Sequence, residues 1–165
     1  LNLKSLVVKR VDKDLPLPKY ATEGSVGLDL VARETVTFEP FSVKKVPLNI
    51  IIKTPNRYAT LLLPRSSLYM KKELLLVNSV GVIDRDYCGS EDEISAVLLY
   101  EPAMNINTYN NPYIKNTTIE RGERICQLLL TRVDNNFKII EVDEITTPSR
   151  RGYGSTGGYV DDSVE

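Results

Sequence analysis

Two carboxylates, Asp84 and Asp86, stand two residues apart in GVIDRDYCG (residues 81–89), with Tyr87 beside them. At that spacing an extended chain puts both acids on one face. Neighbouring carboxylates cost energy unless a cation, a metal or hydrogen bonds offset them. Such a pair either serves a reaction or sits cheaply in a hydrated turn. In LLLPRSSLYM (61–70), Arg65, Ser66 and Ser67 fall between an apolar strand and a helix start. A guanidinium and two hydroxyls beside free backbone N–H groups favour an anion, and they equally make an ordinary helix cap. Gln127 lies inside the apolar run ERICQLLL (123–130), where a polar amide needs a partner in a loop or a ligand. RRGYGSTGG (150–158) joins two arginines, an aromatic ring and a Gly/Ser/Thr run. Glycines let backbone amides approach a phosphate, and Tyr153 could stack on a base; a free tail has the same composition.

Composition narrows the chemistry. The 165 residues contain no histidine, so triads, Cys–His dyads and His-containing zinc sites are excluded, and any general base is Asp, Glu, Lys, Tyr or Cys. Two cysteines are too few for a disulfide scaffold or a four-Cys zinc site and read as reduced thiols. A net charge of −1 argues against a protein that grips duplex nucleic acid by its phosphates. No apolar run approaches a membrane span, and charges at Lys4 and Lys9 break any signal-peptide pattern, so a cytoplasmic protein without membrane contact is expected. Neither a Walker A sequence nor a GxGxxG motif follows a strand.

The elements that must hold these groups are strands. TVTFEP alternates; SVKKVPLNIIIKT (42–54), YATLLLP, ISAVLLY, ERICQLLLTRV and FKIIEVDEI (137–145) are strand-like, and turn residues recur between them. Many short strands with regular breaks predict an all-β sandwich or barrel. One helix is predicted from about Ser67 to Leu74, following serines able to cap it. The segment from Glu101 to Glu120 reads as a loop or hairpin inserted between two strands. The expected organisation is a β-barrel domain over 1–148 and a flexible Gly-rich arm over 149–165.

In this order, GSVGLDLVA (24–32), PRSSL (64–68), NSVGVIDRDYCG (78–89), RGERICQLLL (121–130) and RRGYGSTGG (150–158) resemble the five motifs of the trimeric dUTP pyrophosphatase (dUTPase) family. The resemblance spans residues 24 to 158. It implies a jelly-roll-type β-barrel, a homotrimer with sites shared between subunits, and hydrolysis of dUTP to dUMP and pyrophosphate with Mg²⁺ on the triphosphate. Matched position by position, it implies that Asp84 orients and deprotonates the attacking water. Tyr87 would pack on the deoxyribose and leave no room for a 2′-hydroxyl. Asn78 and the backbone around Gly81 and Ile83 would read the uracil edge, which is how polar mismatches discriminate strongly. Arg65, Ser66, Ser67 and Gln127 would contact phosphates. Asp29 would approach the metal through water, since Mg²⁺ keeps much of its hydration. Arg150 or Arg151 would meet the γ-phosphate, Tyr153 would stack on uracil, and Gly154, Ser155 and Thr156 would close over the phosphates. Asp86 would be an acceptor within its turn.

Ser67 stands where the family usually has Gly, and Tyr153 where it usually has Phe. The Glu101–Glu120 segment is longer than the family needs, which makes it a candidate surface for an unknown partner. Two rival readings follow from the same residues. One is a dCTP deaminase or bifunctional deaminase–dUTPase, which shares the fold. The other is a nucleotide-switched binding protein using the inserted segment.

Overall fold

The computed structural model describes residues 5–102 and 115–149. The chain divides into two compact units, Leu1–Asn135 and Asn136–Glu165. The described part of the first unit contains eleven strands and one helix: β1 (Val7–Arg10), β2 (Leu28–Val31), β3 (Val36–Phe38), β4 (Val43–Pro47), β5 (Ile50–Lys53), β6 (Tyr58–Pro64), α1 (Ser67–Lys72), β7 (Leu74–Leu76), β8 (Gly81–Ile83), β9 (Ser95–Tyr100), β10 (Thr117–Ile119) and β11 (Arg124–Arg132).

All strand pairs are antiparallel. A four-stranded sheet runs β2-β11-β6-β8 and a three-stranded sheet runs β4-β9-β7, with β1-β5 and β10-β3 as smaller ribbons. Leu28, Leu30, Leu62 and Leu128 from the first sheet share one core cluster with Val46, Leu74, Leu76, Ala96 and Leu98 from the second. Phe38, Leu48, Ile50, Ile52, Ile119 and Ile125 also belong to it. Period-two burial along β6 and β9 turns alternate residues into that core, as a half-buried sheet requires. The all-β, jelly-roll-type architecture read from the sequence is the one observed.

Three local expectations change. The run 42–54 is two strands, because Asn49 between them takes a left-handed φ of 63°. Asn49 is buried, and its polar atoms are satisfied there: its N–H donates to Glu93 Oε1 at 2.8 Å, its amide donates to Asp12 O at 3.0 Å, and its Oδ1 accepts the Asp12 N–H at 2.6 Å. The helix stops at Lys72, since Glu73 adopts a left-handed cap and Leu74 already pairs with Tyr100 in β7. The strand expected over 137–145 is not formed. Described residues 136–149 hold no strand or helix, and Phe137, Ile139, Ile140, Val142 and Ile145 are exposed. An alternating segment becomes a strand only where a sheet edge pairs with it. No helix among the described residues is long and apolar enough to cross a membrane.

Candidate active site

The residues expected at the phosphates lie on or beside the outward face of the four-stranded sheet. In β11, Gln127 stands opposite Asp29 of β2 on one side and Leu63 of β6 on the other. Directly paired residues share a face, so the Gln127 amide and the Asp29 carboxylate emerge together. Gln127 Nε2 donates to Pro64 O at 3.3 Å, which holds the amide beside the Arg65 backbone. Gly27 makes room for it: a Cβ there would lie 2.4 Å from Gln127 Oε1.

Arg65 follows the end of β6, and its N–H donates to Ile125 O at 3.0 Å. Its Nε meets Asp29 Oδ1 at 3.1 Å, while Arg124 Nη1 donates to Asp29 Oδ2 at 3.1 Å. Asp29, only 13% exposed, is therefore held between two guanidiniums. Arg65 and Arg124 also line a cleft of about 200 Å³ with Ser67, Leu68, Lys71, Lys72 and Glu123. Lys72 is engaged by Glu123 (3.1 Å) and by Thr118 O (2.7 Å), so Arg65, Lys71 and Arg124 leave the cleft cationic.

The helix beside it supplies less than its serines promise. It has six residues, and Ser66 makes no side-chain cap bond, so the attraction for an anion comes from side-chain charge. Ser67 sits in the helix without a positive φ, so its backbone does not require a glycine.

The second cluster forms around β8, the edge strand beside β6. Asn78 precedes it in a turn where Ser79 takes a φ of 57°. The Asn78 amide lies over Gly81, where a Cβ would stand 3.6 Å from Asn78 Nδ2 and 3.1 Å from Leu62 Cβ. Past Ile83 the chain turns: Tyr87 N–H donates to Asp84 O at 3.2 Å and Cys88 N–H to Asp86 O at 2.9 Å. Asp86 thus accepts through its carbonyl. Arg85 is drawn aside to Asn56 Oδ1 at 2.9 Å. The exposed Asp84 carboxylate has no hydrogen-bond or ion-pair partner among the described residues, and it lines a cleft of about 220 Å³ with Arg57, Arg85 and Asp86. Tyr87 is half exposed, and its hydroxyl donates to Glu93 O at 3.3 Å.

Register separates the two clusters. Ile83 pairs with Thr60 and Cys126 with Pro64, so Asp84 continues beyond one end of this stretch of β6 and Arg65 beyond the other. The steps from Thr60 to Pro64 alone cover roughly 13 Å of strand. Within the chain the structure therefore joins Asp29, Arg65, Ser67 and Gln127, and separately Asn78, Gly81, Ile83, Asp84 and Tyr87. Ser66 is exposed beside the first group. Arg150, Arg151, Tyr153, Gly154, Ser155 and Thr156 lie outside the described residues, as do 103–114 of the inserted segment.

Sequence reasoning missed Arg124, Gly27 and Glu93. Arg124 had one signal, a charged residue at a core parity of an apolar strand. Glu93 stands beside Glu91 and Asp92, and nothing in the sequence singles it out. Its side chain is mostly buried and takes a bidentate contact from Arg33, at 2.8 and 3.0 Å, that raises the Arg33 pKa. Its carbonyl then fixes Tyr87. Neither cysteine is bonded, and burial pushes the Cys126 thiol up to about 12, which removes it as a nucleophile.

An antiparallel β-barrel whose outward sheet face carries two guanidiniums paired through one carboxylate, with a free carboxylate beside an aromatic ring at another edge, has parts suited to a hydrolase of phosphorylated ligands. The family model described as dUTPase matches residues 13–158. A deoxyuridine 5′-triphosphate nucleotidohydrolase of Thermobifida fusca is 40% identical, covering 92% of this chain and 78% of the relative. One from Caldanaerobacter subterraneus is 39% identical, covering 92% and 97%. Among solved structures, a point mutant of the Staphylococcus bacteriophage 80alpha dUTPase with dUpNHpp superposes with a TM-score of 0.74 at 25% identity, covering 94% of this chain and all of that one. The Streptococcus mutans dUTPase gives 0.63 at 27% identity, covering 82% and 98%. The chain belongs to the dUTPase family.

Proposed function

We propose that this chain, a dUTP-hydrolysing enzyme, uses Asp84 as the base that orients and deprotonates a water for attack on the α-phosphorus of dUTP, releasing dUMP and pyrophosphate. The observation that carries this reading is the unpaired Asp84 carboxylate next to a fixed Tyr87. A carboxylate already committed to a cation would be a poor base, and Asp84 has no such partner among the described residues. Tyr87, tied by its hydroxyl to Glu93, presents its ring to the deoxyribose and disfavours a 2′-hydroxyl. Asn78 over Gly81, with the β8 backbone, reads uracil. Arg65, Ser66, Ser67 and Gln127 hold the phosphates.

Magnesium enters as part of the substrate. Among the described residues no three Asp, Glu, Cys or His side chains gather to hold a metal, and both Asp29 oxygens are engaged by arginines. The ion supplies charge neutralisation on the triphosphate and a more electrophilic phosphorus. Asp29 organises the arginines that meet the same phosphates.

The separation of the two clusters along β6 supports a site shared between subunits, since the base and the phosphate ligands must reach one triphosphate. The outward sheet face supports assembly too. Leu129, Leu61 and Val82 form a row across β11, β6 and β8, and Val82 is 66% exposed in the single chain. Such an apolar row beside the polar row of Asp29 and Gln127 fits a homotrimer interface bordering the sites. A cytoplasmic location suits two unbonded thiols.

Pyrophosphate release with Mg²⁺ from dUTP, beside dCTP, dTTP and UTP, tests the reading. Release from dUTP alone is expected. Release from UTP at a similar rate would remove the role of Tyr87, and ammonia from dCTP would establish the deaminase reading instead.

A further inference from the structure

A β-bulge aims Arg124. The register between β11 and β2 passes from Arg124↔Val31 to Cys126↔Leu30, so two steps on β11 match one on β2. Ile125 is the extra residue, and both Ile125 and Cys126 are buried. In an unbroken strand Arg124, three residues before the outward-facing Gln127, would point into the core. The bulge resets the parity and puts it on the face of Val31 and Asp29, where bulges typically re-aim a side chain near a site. The same bulge serves Arg65, because the Ile125 carbonyl accepts the Arg65 N–H.

We propose that Arg124 is a second phosphate-binding guanidinium of the dUTP site, delivered by the bulge at Ile125 and yoked to Arg65 through the two oxygens of Asp29. This rests on the reading that Arg65 marks the phosphate end of the site. A guanidinium has five N–H donors in a rigid fork. Asp29 takes Nε of Arg65 and one Nη1 donor of Arg124, which leaves the remaining donors of both for an anion. Two cations side by side repel, and the shared carboxylate offsets that repulsion while fixing their spacing. A triphosphate, unlike a monophosphate, carries enough charge and oxygen atoms to meet both forks. Stability alone is a weak reason for the arrangement. Arg124 is 54% exposed, and exposed ion pairs contribute little to folding, whereas a bulge interrupts a ladder of the central strand.

The test uses the full chain with Mg²⁺ and compares wild type, Arg65→Gln and Arg124→Gln. Calorimetry measures binding of dUpNHpp and of dUMP, and thermal melting is recorded beside it. Arg124→Gln should weaken dUpNHpp by about tenfold to a hundredfold, the loss of one charge-assisted contact, and weaken dUMP far less, with an unchanged melting temperature. If Arg65→Gln weakens dUpNHpp and Arg124→Gln does not, the inference fails and the phosphate-end reading stands. If neither does, both fail. A purely positioning Arg124 predicts that its substitution costs nothing further once Asp29→Asn has cut the yoke. A continuing loss of dUpNHpp affinity in the Asp29→Asn background supports direct contact, and no loss overturns it.

Discussion

Gly27→Ala is a test of geometry, because the substitution adds one methyl and no charge. The φ of Gly27 lies outside the positive region that L side chains rarely adopt, so an alanine is acceptable to the backbone. Its Cβ, however, would stand 2.4 Å from Gln127 Oε1, 3.1 Å from Cδ and 3.2 Å from Cβ. Real contacts of this kind are not under 3.0 Å, so the amide must retreat by at least 3.0 − 2.4 = 0.6 Å. A long flexible side chain can do that by rotating, at about 0.5–1.5 kcal/mol for an off-rotamer angle. The rotation also breaks the 3.3 Å bond to Pro64 O, a neutral hydrogen bond worth about 1 kcal/mol net. The fold should therefore lose only about 1.5–2.5 kcal/mol, because the clash is with the far end of a flexible side chain. Binding should lose more in proportion, since an amide displaced from its position could no longer make the proposed phosphate contact. A fall in kcat/KM for dUTP of about tenfold or more is expected, carried mainly by KM. Initial rates of pyrophosphate release and a urea titration measure the two effects. In a double-mutant cycle Gly27→Ala should add almost nothing to Gln127→Ala. Wild-type kcat/KM in Gly27→Ala, or full additivity with Gln127→Ala, would refute the idea that Gly27 exists to seat that amide.

Asp84→Asn keeps the side-chain shape and removes the base, so turnover of dUTP should fall by orders of magnitude while dUpNHpp still binds; undiminished turnover would remove Asp84 from the mechanism. Val82→Glu places a charge at the exposed end of the outward apolar row of Leu129, Leu61 and Val82, and light scattering should report monomers with little activity; an intact oligomer would show that the row is not an interface. Alkaline pH should destabilise the fold. The Cys126 thiol is raised by burial to about 12 from 9.0, and burial also raises Tyr100, so the unfolded chain loses these protons first. Stability is then complete below pH 9 and falls as pH rises towards 12, a slope that Cys126→Ala should reduce in urea titrations at about pH 8 to 11. In the native protein a thiol reagent should titrate the half-buried Cys88 and spare Cys126.

The sheets were legible because burial alternates with period two wherever one face is wet, and the long runs YATLLLP and ERICQLLLTRV became the two longest strands, β6 and β11. Short edge strands such as β7, β8 and β10 have three residues each, too few for a period to register. The break at Asn49 was hidden because its cause is remote: Asp12 and Glu93 satisfy a left-handed, buried asparagine from 37 and 44 residues away. The same holds for Arg124. Read by strict alternation, it belongs to the core, and only the extra residue Ile125 reverses that parity.

Proximity along the chain is the most misleading signal of all. Ser66 and Asn78 are separated by one short helix and one short strand, so the phosphate-side and base-side motifs look like neighbours. The excursion through α1 and β7 instead returns the chain antiparallel to β6. Gly81 enters opposite Leu62, and each further residue carries the chain away from Arg65. Asp84 is therefore farther from Arg65 than Gly81 is, although the proposed base would have to act on a phosphorus of the triphosphate that Arg65 is proposed to hold. Lengthening or bending a three-residue edge strand cannot close that gap without breaking its pairing with β6. A second copy presenting its own β8 turn to the Asp29–Gln127 face would close it with no change in either chain, as the proposed shared site requires. Mixed oligomers test this directly: Asp84→Asn chains assembled with Arg65→Gln chains should regain activity that neither variant has alone, because some sites then draw an intact base and an intact guanidinium from different copies. No recovery in demonstrably mixed oligomers would mean that each chain completes its own site.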